Sequence, residues 1–543
     1  MGKASERRVR MFELDGRRVT LAQLTEVARG KTEVTISAAA RERVGLSRRT
    51  LERFVEEGRV IYGVNTGVGG FVDWLVPTRL AGPLQENLIN AVATNVGEHL
   101  DDSTVRAIML ARIVSLARGN SAISVRNLET LVAMFNAGIV PCVPAKGSLG
   151  TSGDLGPLAA VALVGVGQWR ARLGGRVLPG ARALGEAGIT PMELGFKEGL
   201  ALVNGTSGMV GLGALAVRGA THLLDAQLLV SALSVEGLAG LTKPFDPRVH
   251  RLKPHRGQYE IAACLWDTLL DSGLAVREEV RQAELSGQVG AGPHTGTHPV
   301  EDAYSIRCTP QVLGPVLDAL RTVAGVVENE LNSSNDNPLV VPEEDECFHS
   351  GHFHGQYVAM AMDQLAIALT TMTNLSNRRV DRFLDASHSN GLPPFLCGAD
   401  PGVRLGLMGG QFMTASLTAE NRALTVPVSV HSLSSTADFQ DVVSLGFVAA
   451  RRANEILANA RYVIAFELLC ACQAVDLRGA DGLSTATRRL YERTRAAVPF
   501  LDHDVTLTDH LETIARTILT PGPERSEWTG VLRPDAAHEE TAR

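Results

Sequence analysis

Apolar residues recur at helical spacing along most of the chain, and the length of the periodic stretches changes midway. In the first two hundred residues they are short. Spacing predicts helices over 21–28, 37–57, 84–96, 103–116 and 125–135, with Ser124 as a cap before the last and Gly138 ending it. The stretch Val140-Pro141-Cys142-Val143-Pro144 reads as extended, because residues before proline avoid the helical region. Gly174-Gly175 predicts a hairpin over 172–177. From about residue 199 the periodic stretches lengthen: 200–238, 257–271, 311–330, 355–374, 411–425, 440–477 and 485–496. Long helices of this kind imply a bundle core. The expected fold class is therefore mainly α. A mixed, mostly helical N-terminal domain is expected over 1–198 and a long-helix bundle over 199–520. The polar, proline-bearing end, 521–543, reads as a loose tail.

Composition narrows the function. The net charge of -7 is spread without acidic or basic blocks, which argues against nucleic acid or an anionic membrane as partner. The most apolar region, 200–241, is interrupted by Asn204, Arg218, His222, Asp225 and Glu236, so it reads as buried helix and not as a membrane span. The basic stretch 1–10 has no apolar segment behind it and does not read as a secretory signal. Seven scattered cysteines, with no C-x-x-C, suit reduced thiols in the cytoplasm.

The candidate chemistry begins at Gly147-Ser148-Leu149-Gly150-Thr151-Ser152-Gly153-Asp154-Leu155-Gly156-Pro157-Leu158. Glycine after serine leaves a lightly shielded amide. A tight turn can bring the Gly153 nitrogen onto the Thr151 carbonyl, and loss of water from Ser152 then gives a ring with an exocyclic methylene. Such a ring is an electrophile, which no ordinary side chain supplies. Asp154 can cap the apolar run that follows, and the positive end of that helix would favour negative charge arriving on the ring. The same residues also suit a plain glycine-rich cap without chemistry. Upstream, Tyr62-Gly63-Val64-Asn65-Thr66-Gly67-Val68-Gly69-Gly70 is a loop. It lacks the Lys-Ser/Thr of a phosphate cradle. His349, His352 and His354, after Glu343, Glu344, Asp345 and Glu346, offer an alternative metal site in a binding or structural protein.

Four further stretches settle the comparison: Asn204-Gly205-Thr206-Ser207-Gly208, Tyr304-Ser305-Ile306-Arg307, Glu330 to Leu339 with its Asn335-Asp336-Asn337-Pro338 centre, and Gly351-His352-Phe353-His354-Gly355. With the Tyr62 loop and the Thr-Ser-Gly turn, this set in this order resembles the aromatic amino-acid ammonia-lyase and aminomutase family, over about residues 15 to 500. The resemblance implies an ammonia-lyase/fumarase-like helical core and a homotetramer with active sites shared between subunits. It implies a 4-methylideneimidazol-5-one (MIO) formed from Thr151, Ser152 and Gly153, with no metal. Only the backbone of the first residue enters the ring, so Thr151 in place of the usual alanine should not impair it. Tyr62 matches the catalytic base, and its pKa is expected to be lowered. Asn204 and Tyr304 match residues that hold the electrophile and the substrate amine. Arg307 matches a carboxylate clamp. Phe353, Gln440 and Glu420 match residues lining the site. Histidine-specific members carry His at the position of Val92, and tyrosine-specific ones at Ala91. With Leu88, Leu200, Leu405, Met408 and Phe412 completing an apolar wall, nothing would pair with an imidazole or phenol, and phenylalanine is the expected substrate. Thr151, Phe439 and the run 405–415 look most like the bacterial phenylalanine aminomutases. The implied reaction is L-phenylalanine to β-phenylalanine through a bound cinnamate, with a phenylalanine ammonia-lyase that releases cinnamate as the alternative.

Overall fold

The computed structural model describes residues 10–290 and 292–520; the tail expected over 521–543 lies outside them. Helices dominate, and strands are few and short. The predicted starts rest on identifiable caps. Ser37, Asp101, Ser124 and Ser484 each accept a hydrogen bond from the backbone three residues on, and Thr20 with Gln23 forms a complete capping box. The hairpin pairs Arg170–Leu173 with Arg176–Pro179 in antiparallel register and adds Val140–Pro141 as a third strand. No helix among the described residues is long and apolar enough to cross a membrane.

Contacts divide the described chain into two compact units, each built from separated segments. The first comprises 10–218, 323–363 and 427–454; the second comprises 219–322, 364–426 and 455–520. Four of the five boundaries fall inside long helices, Ser207–Gly237, Thr309–Leu331, Gln356–Leu384 and Gly446–Arg478, and the fifth, at 426/427, follows the helix Met408–Leu424. The linear division at 198/199 groups residues by helix length, whereas this one groups them by packing.

The first unit carries a core cluster of Leu51, Phe54, Ile61, Val64, Ala122 and Val340. Ile61 and Val64 are buried on either side of Tyr62, so the Tyr62 loop is anchored at its root by apolar burial, roughly 1.5–3 kcal/mol per side chain. In the second unit, Arg379 and Glu467 form a fully buried ion pair (Nε to Oε1, 2.5 Å). Ser234 and Ser376 donate to the same carboxylate, at 2.8 and 2.5 Å. A buried pair is tolerated when its remaining lone pairs are met in this way.

Three predicted helices are corrected. The stretch 200–238 is two helices, Glu198–Val203 and Ser207–Gly237. Between them Asn204 is extended and Gly205 takes φ 137°. The helix over 440–477 begins only at Gly446. Ahead of it Thr436, Ala437 and Asp438 are left-handed, and Ser435 and Gln440 close a tight antiparallel turn. The helix over 84–96 runs Ala81–Ala91 and is capped at Val92, and Val96 pairs with Lys146 as strand. Each break serves the same region of the first unit.

Candidate active site

The Thr151-Ser152-Gly153 turn is compressed and pinned. Gly150, Ser152 and Gly153 all have left-handed φ (86°, 52° and 81°), which folds the chain back on itself within four residues. Left-handed serine is uncommon and persists where the surroundings over-determine it. Here the surroundings are the 204–206 break. Gly205 N donates to Ser152 O at 3.0 Å, and Asp154 N donates to Gly205 O at 2.8 Å. A Cβ on residue 153 would stand 2.1 Å from Gly205 O, so only glycine fits there. On the other side Leu445 N donates to Leu149 O at 3.2 Å. The Ser152 hydroxyl accepts from Gln440 Nε2 at 3.0 Å. A glycine amide folded back behind a held serine is what an imidazolone ring needs, and these residues fit that group.

Asp154 precedes the helix Leu155–Gly165 but does not cap it. Its carboxylate turns inward, accepting from Met209 N at 2.7 Å and from Ser148 Oγ at 3.4 Å. Complete burial pushes its pKa up from 3.8 to about 7, against the pull of those donors. The folded form therefore keeps a proton that the unfolded chain releases near 3.8. The stability contributed by this group is present in full below that pH and lost as pH rises to about 7. The shift corresponds to about 4 kcal/mol. Asp154→Asn should remove this slope. Denaturant unfolding at pH 4, 5.5 and 7 should show the parent losing stability relative to the variant by that order. Parallel curves would mean that Asp154 is ionised in the fold.

Facing the turn is a cavity of about 550 Å³, lined by Tyr62, Val72, Thr151, Ser152, Asn204, Asn337, His349, Ser350, Phe353, His354 and the stretch 439–442. Tyr62 is half-buried. Its hydroxyl accepts from Gly69 N at 2.8 Å, its amide donates to His349 Nε2 at 3.1 Å, and its ring stacks on Phe439 with centroids 6.2 Å apart. The expected lowering of its pKa is not what the geometry gives. Burial raises it above 10, and the Gly69 amide opposes this only in part. Asn204 presents a buried Oδ1 with no hydrogen-bond partner. Buried polar atoms are nearly always paired, so an acceptor left bare in a cavity wall marks a place for a donor on a ligand.

The remaining predicted residues are not in this wall. Gly153 is buried directly behind it. Leu88 and Leu200 are buried, and Val92 is half-buried. A Cβ on Gly63 would stand 2.6 Å from Leu200 Cδ2, which puts Leu200 behind the Tyr62 loop. Gln85, which carried no signal in the sequence beyond its helix, is fully buried. It ties that loop to the Leu200 helix by donating to Gly63 O and accepting from Leu200 N, both at 2.9 Å. Tyr304, Arg307, Leu405, Met408, Phe412 and Glu420 all belong to the second unit. There Arg307 pairs with Glu301 (2.8 Å), donates to Asp302 O (2.9 Å) and lies 4.9 Å from the Tyr304 ring centroid. Tyr304, Leu405, Phe412 and Glu420 are exposed in the single chain.

Asn337, Val72, Asp441 and Val442 were not singled out from sequence. In the sequence Asn337 is one residue of a polar loop; in the structure its Oδ1 accepts from Ser350 N at 2.7 Å. The alternative metal site of His349, His352 and His354 does not assemble. Instead His349 holds the Tyr62 amide, His354 Nε2 donates to Val442 O at 3.2 Å, and His352 meets Ser350 Oγ at 2.7 Å. Among the described residues no group of three or more His, Cys, Asp or Glu could hold a metal ion.

Comparison with known proteins agrees on the family and divides on the substrate. Residues 19–496 match the aromatic amino acid lyase family. A histidine ammonia-lyase of Gloeobacter violaceus is 43% identical over 92% of this chain and 94% of its own. An MIO-dependent tyrosine 2,3-aminomutase of Streptomyces globisporus is 40% identical over 92% of this chain and 94% of its own. The solved structure of the Pantoea agglomerans phenylalanine aminomutase superposes with TM-score 0.92 at 58% identity, over 94% of this chain and 99% of that one.

Proposed function

Because this chain belongs to the aromatic amino acid lyase family, we propose that it converts L-phenylalanine to β-phenylalanine through a bound cinnamate and releases some of that cinnamate. The observation that carries the reading is the Ser152-Gly153 turn, pinned against Gly205 in the wall that also holds Tyr62 and the unpaired Asn204 Oδ1. An MIO made from Thr151, Ser152 and Gly153 would supply an electrophilic methylene that binds the substrate amine and makes it a leaving group. Asn204 Oδ1 accepts a hydrogen bond from the substrate ammonium. The Gly69 N–H stabilises the Tyr62 phenolate, which takes the benzylic proton and becomes the neutral phenol. Phe353 and Phe439 pack against the substrate, and Gln440 orients Ser152. Arg307 grips the carboxylate with its planar fork. The exposed Tyr304, Leu405, Phe412 and Glu420, with Met408, complete sites in a homotetramer.

Leu88, Val92 and Leu200, taken as the residues that face the substrate ring in the assembled site, carry no polar group and favour an unsubstituted ring. An imidazole or phenol left unpaired against such residues costs about 1–3 kcal/mol. The structural relative named above as a phenylalanine aminomutase supports the same substrate and outcome.

Chiral chromatography of a time course on L-phenylalanine tests this. β-Phenylalanine is expected early, ahead of or alongside cinnamate. Cinnamate alone, even at long times, makes the enzyme an ammonia-lyase. Turnover of histidine or tyrosine in preference to phenylalanine overturns the substrate assignment.

A further inference from the structure

A buried polar network lies behind the Thr-Ser-Gly turn, and the reaction proposed above does not use it. Arg112, on the helix Asp102–Leu116, is 1% exposed. Its Nη1 donates to Asn335 Oδ1 at 3.1 Å and its Nη2 to Ala201 O. Ser115 Oγ donates to the same Asn335 Oδ1 at 3.0 Å. Asn335 Nδ2 donates to Thr206 Oγ1 at 2.8 Å, and Thr206 Oγ1 donates to Glu330 Oε1 at 2.5 Å. Two segments distant in sequence are thus joined to one helix through a single asparagine side chain.

The network encloses one peptide. A Cβ on Gly205 would stand 2.4 Å from Asn335 O and 2.6 Å from both Arg112 Nη1 and Asn335 Oδ1. The same Gly205 makes both hydrogen bonds to the turn, from its N to Ser152 O and from Asp154 N to its O. The turn and the network therefore press on Gly205 from two sides. Nothing flexible lies between them: neither Gly153 nor Gly205 has a side chain to give way. The cavity residues act on substrate from the other face of the turn.

Resting on the reading of this chain as a self-cyclising enzyme, we infer that Arg112, Asn335 and Thr206 are positioning residues for ring closure. They fix the Gly205 peptide, which holds Ser152 left-handed and keeps Gly153 N directed at Thr151 C. In that closure a bond forms between Gly153 N and Thr151 C. The Thr151 carbonyl oxygen leaves as water with the amide protons of Gly153 and Ser152. A second water carries off the Ser152 hydroxyl and its Cα proton, leaving the exocyclic double bond. No oxidant or co-reactant is consumed. None of the three positioning residues touches the reacting atoms. Their effect is on how often the turn is held in the reactive shape.

The test reads the turn itself and not turnover. Trypsin cleaves after Lys146 and Arg170, and the peptide 147–170 reports cyclisation as the loss of two waters. Protein is taken from the folded gel-filtration peak, with far-UV circular dichroism as the check on fold. The parent peptide should lack both waters. Thr206→Val, which keeps the shape and removes the hydroxyl, and Asn335→Asp, which removes the donor to Thr206, should fold and yet cyclise on the order of tenfold more slowly when chain recovered unfolded and still uncyclised is allowed to fold. Thr206→Ser restores the hydroxyl and should restore the rate, which a general loss of packing would not allow. If Thr206→Val fails to fold, Ser115→Ala removes one bond to Asn335 Oδ1 and should still slow closure. Folded variants that cyclise at the parent rate overturn the inference and leave the function reading intact. A parent peptide that retains both waters overturns the function reading, and this inference with it.

Discussion

Ser152→Ala is expected to abolish turnover of L-phenylalanine while leaving the fold intact. The Ser152 side chain makes one hydrogen bond, from Gln440 Nε2, and its backbone is already left-handed. Alanine keeps the same backbone demands, so the structural change is the loss of that one half-buried hydrogen bond. The chemical change is total. Without Oγ there is no second water to lose and no exocyclic methylene. The amine of a bound amino acid then remains a poor leaving group. Removing a covalently acting group costs on the order of 10⁴-fold or more in kcat. Product assays and the mass of peptide 147–170 check this together: the variant should lack the two-water loss and the activity at once. Full activity in the variant would show that ammonia leaves by some route that does not need this turn.

Tyr62→Phe is expected to cost on the order of 10² to 10⁴-fold in kcat, the range of a positioned proton-transfer group. The ring contacts would survive, since Phe can keep the stack on Phe439. The backbone bond to His349 also survives, because it uses the Tyr62 amide. What is lost is the acceptor for Gly69 N–H and the site of proton abstraction. One orphaned amide costs about 1–3 kcal/mol of stability, which denaturation would register separately. The pH profile gives a second readout. Burial raises the Tyr62 pKa, so the fraction ready to accept a proton grows as pH rises into the alkaline range. The parent rate should climb with it, and the residual rate of the variant should not. Parent-level turnover by Tyr62→Phe would move the base elsewhere in the cavity, with His349 and His354 the nearest alternatives.

The fold class was legible because helical spacing and caps are local. Ser124, the Gly174-Gly175 hairpin and the loop rooted by Ile61 and Val64 all follow from a few neighbouring residues. Errors fell where tertiary structure overrides the local pattern. Apolar spacing runs straight through Asn204 to Thr206, yet the chain breaks there because Gly205 lies against Gly153. It also runs on from Gln440, but the residues before Gly446 are bent into the cavity wall. Asp154 has the position of a cap and spends its carboxylate on Met209, more than fifty residues away. Gln85, Asn337 and His349 carry their weight through partners distant in sequence, which no spacing reveals. Of the residues that motif order brought forward, Tyr62, Thr151, Ser152, Asn204, Phe353, Phe439 and Gln440 line one cavity.

The bridge between Gly153 and Gly205 also sets a schedule. The ribosome delivers Ser152 early, Gly205 later and Asn335 much later. A nascent chain that ends before Asn335 has the reactive sequence without the backing that shapes it. If the proposed ring needs that backing, its serine stays a serine. An electrophile formed on an unfolded chain would be open to every thiol and amine in the cell. On the proposed reading, tying ring formation to a contact that only the folded protein owns would keep the chain inert during its own synthesis and make it reactive once there is a cavity to contain it.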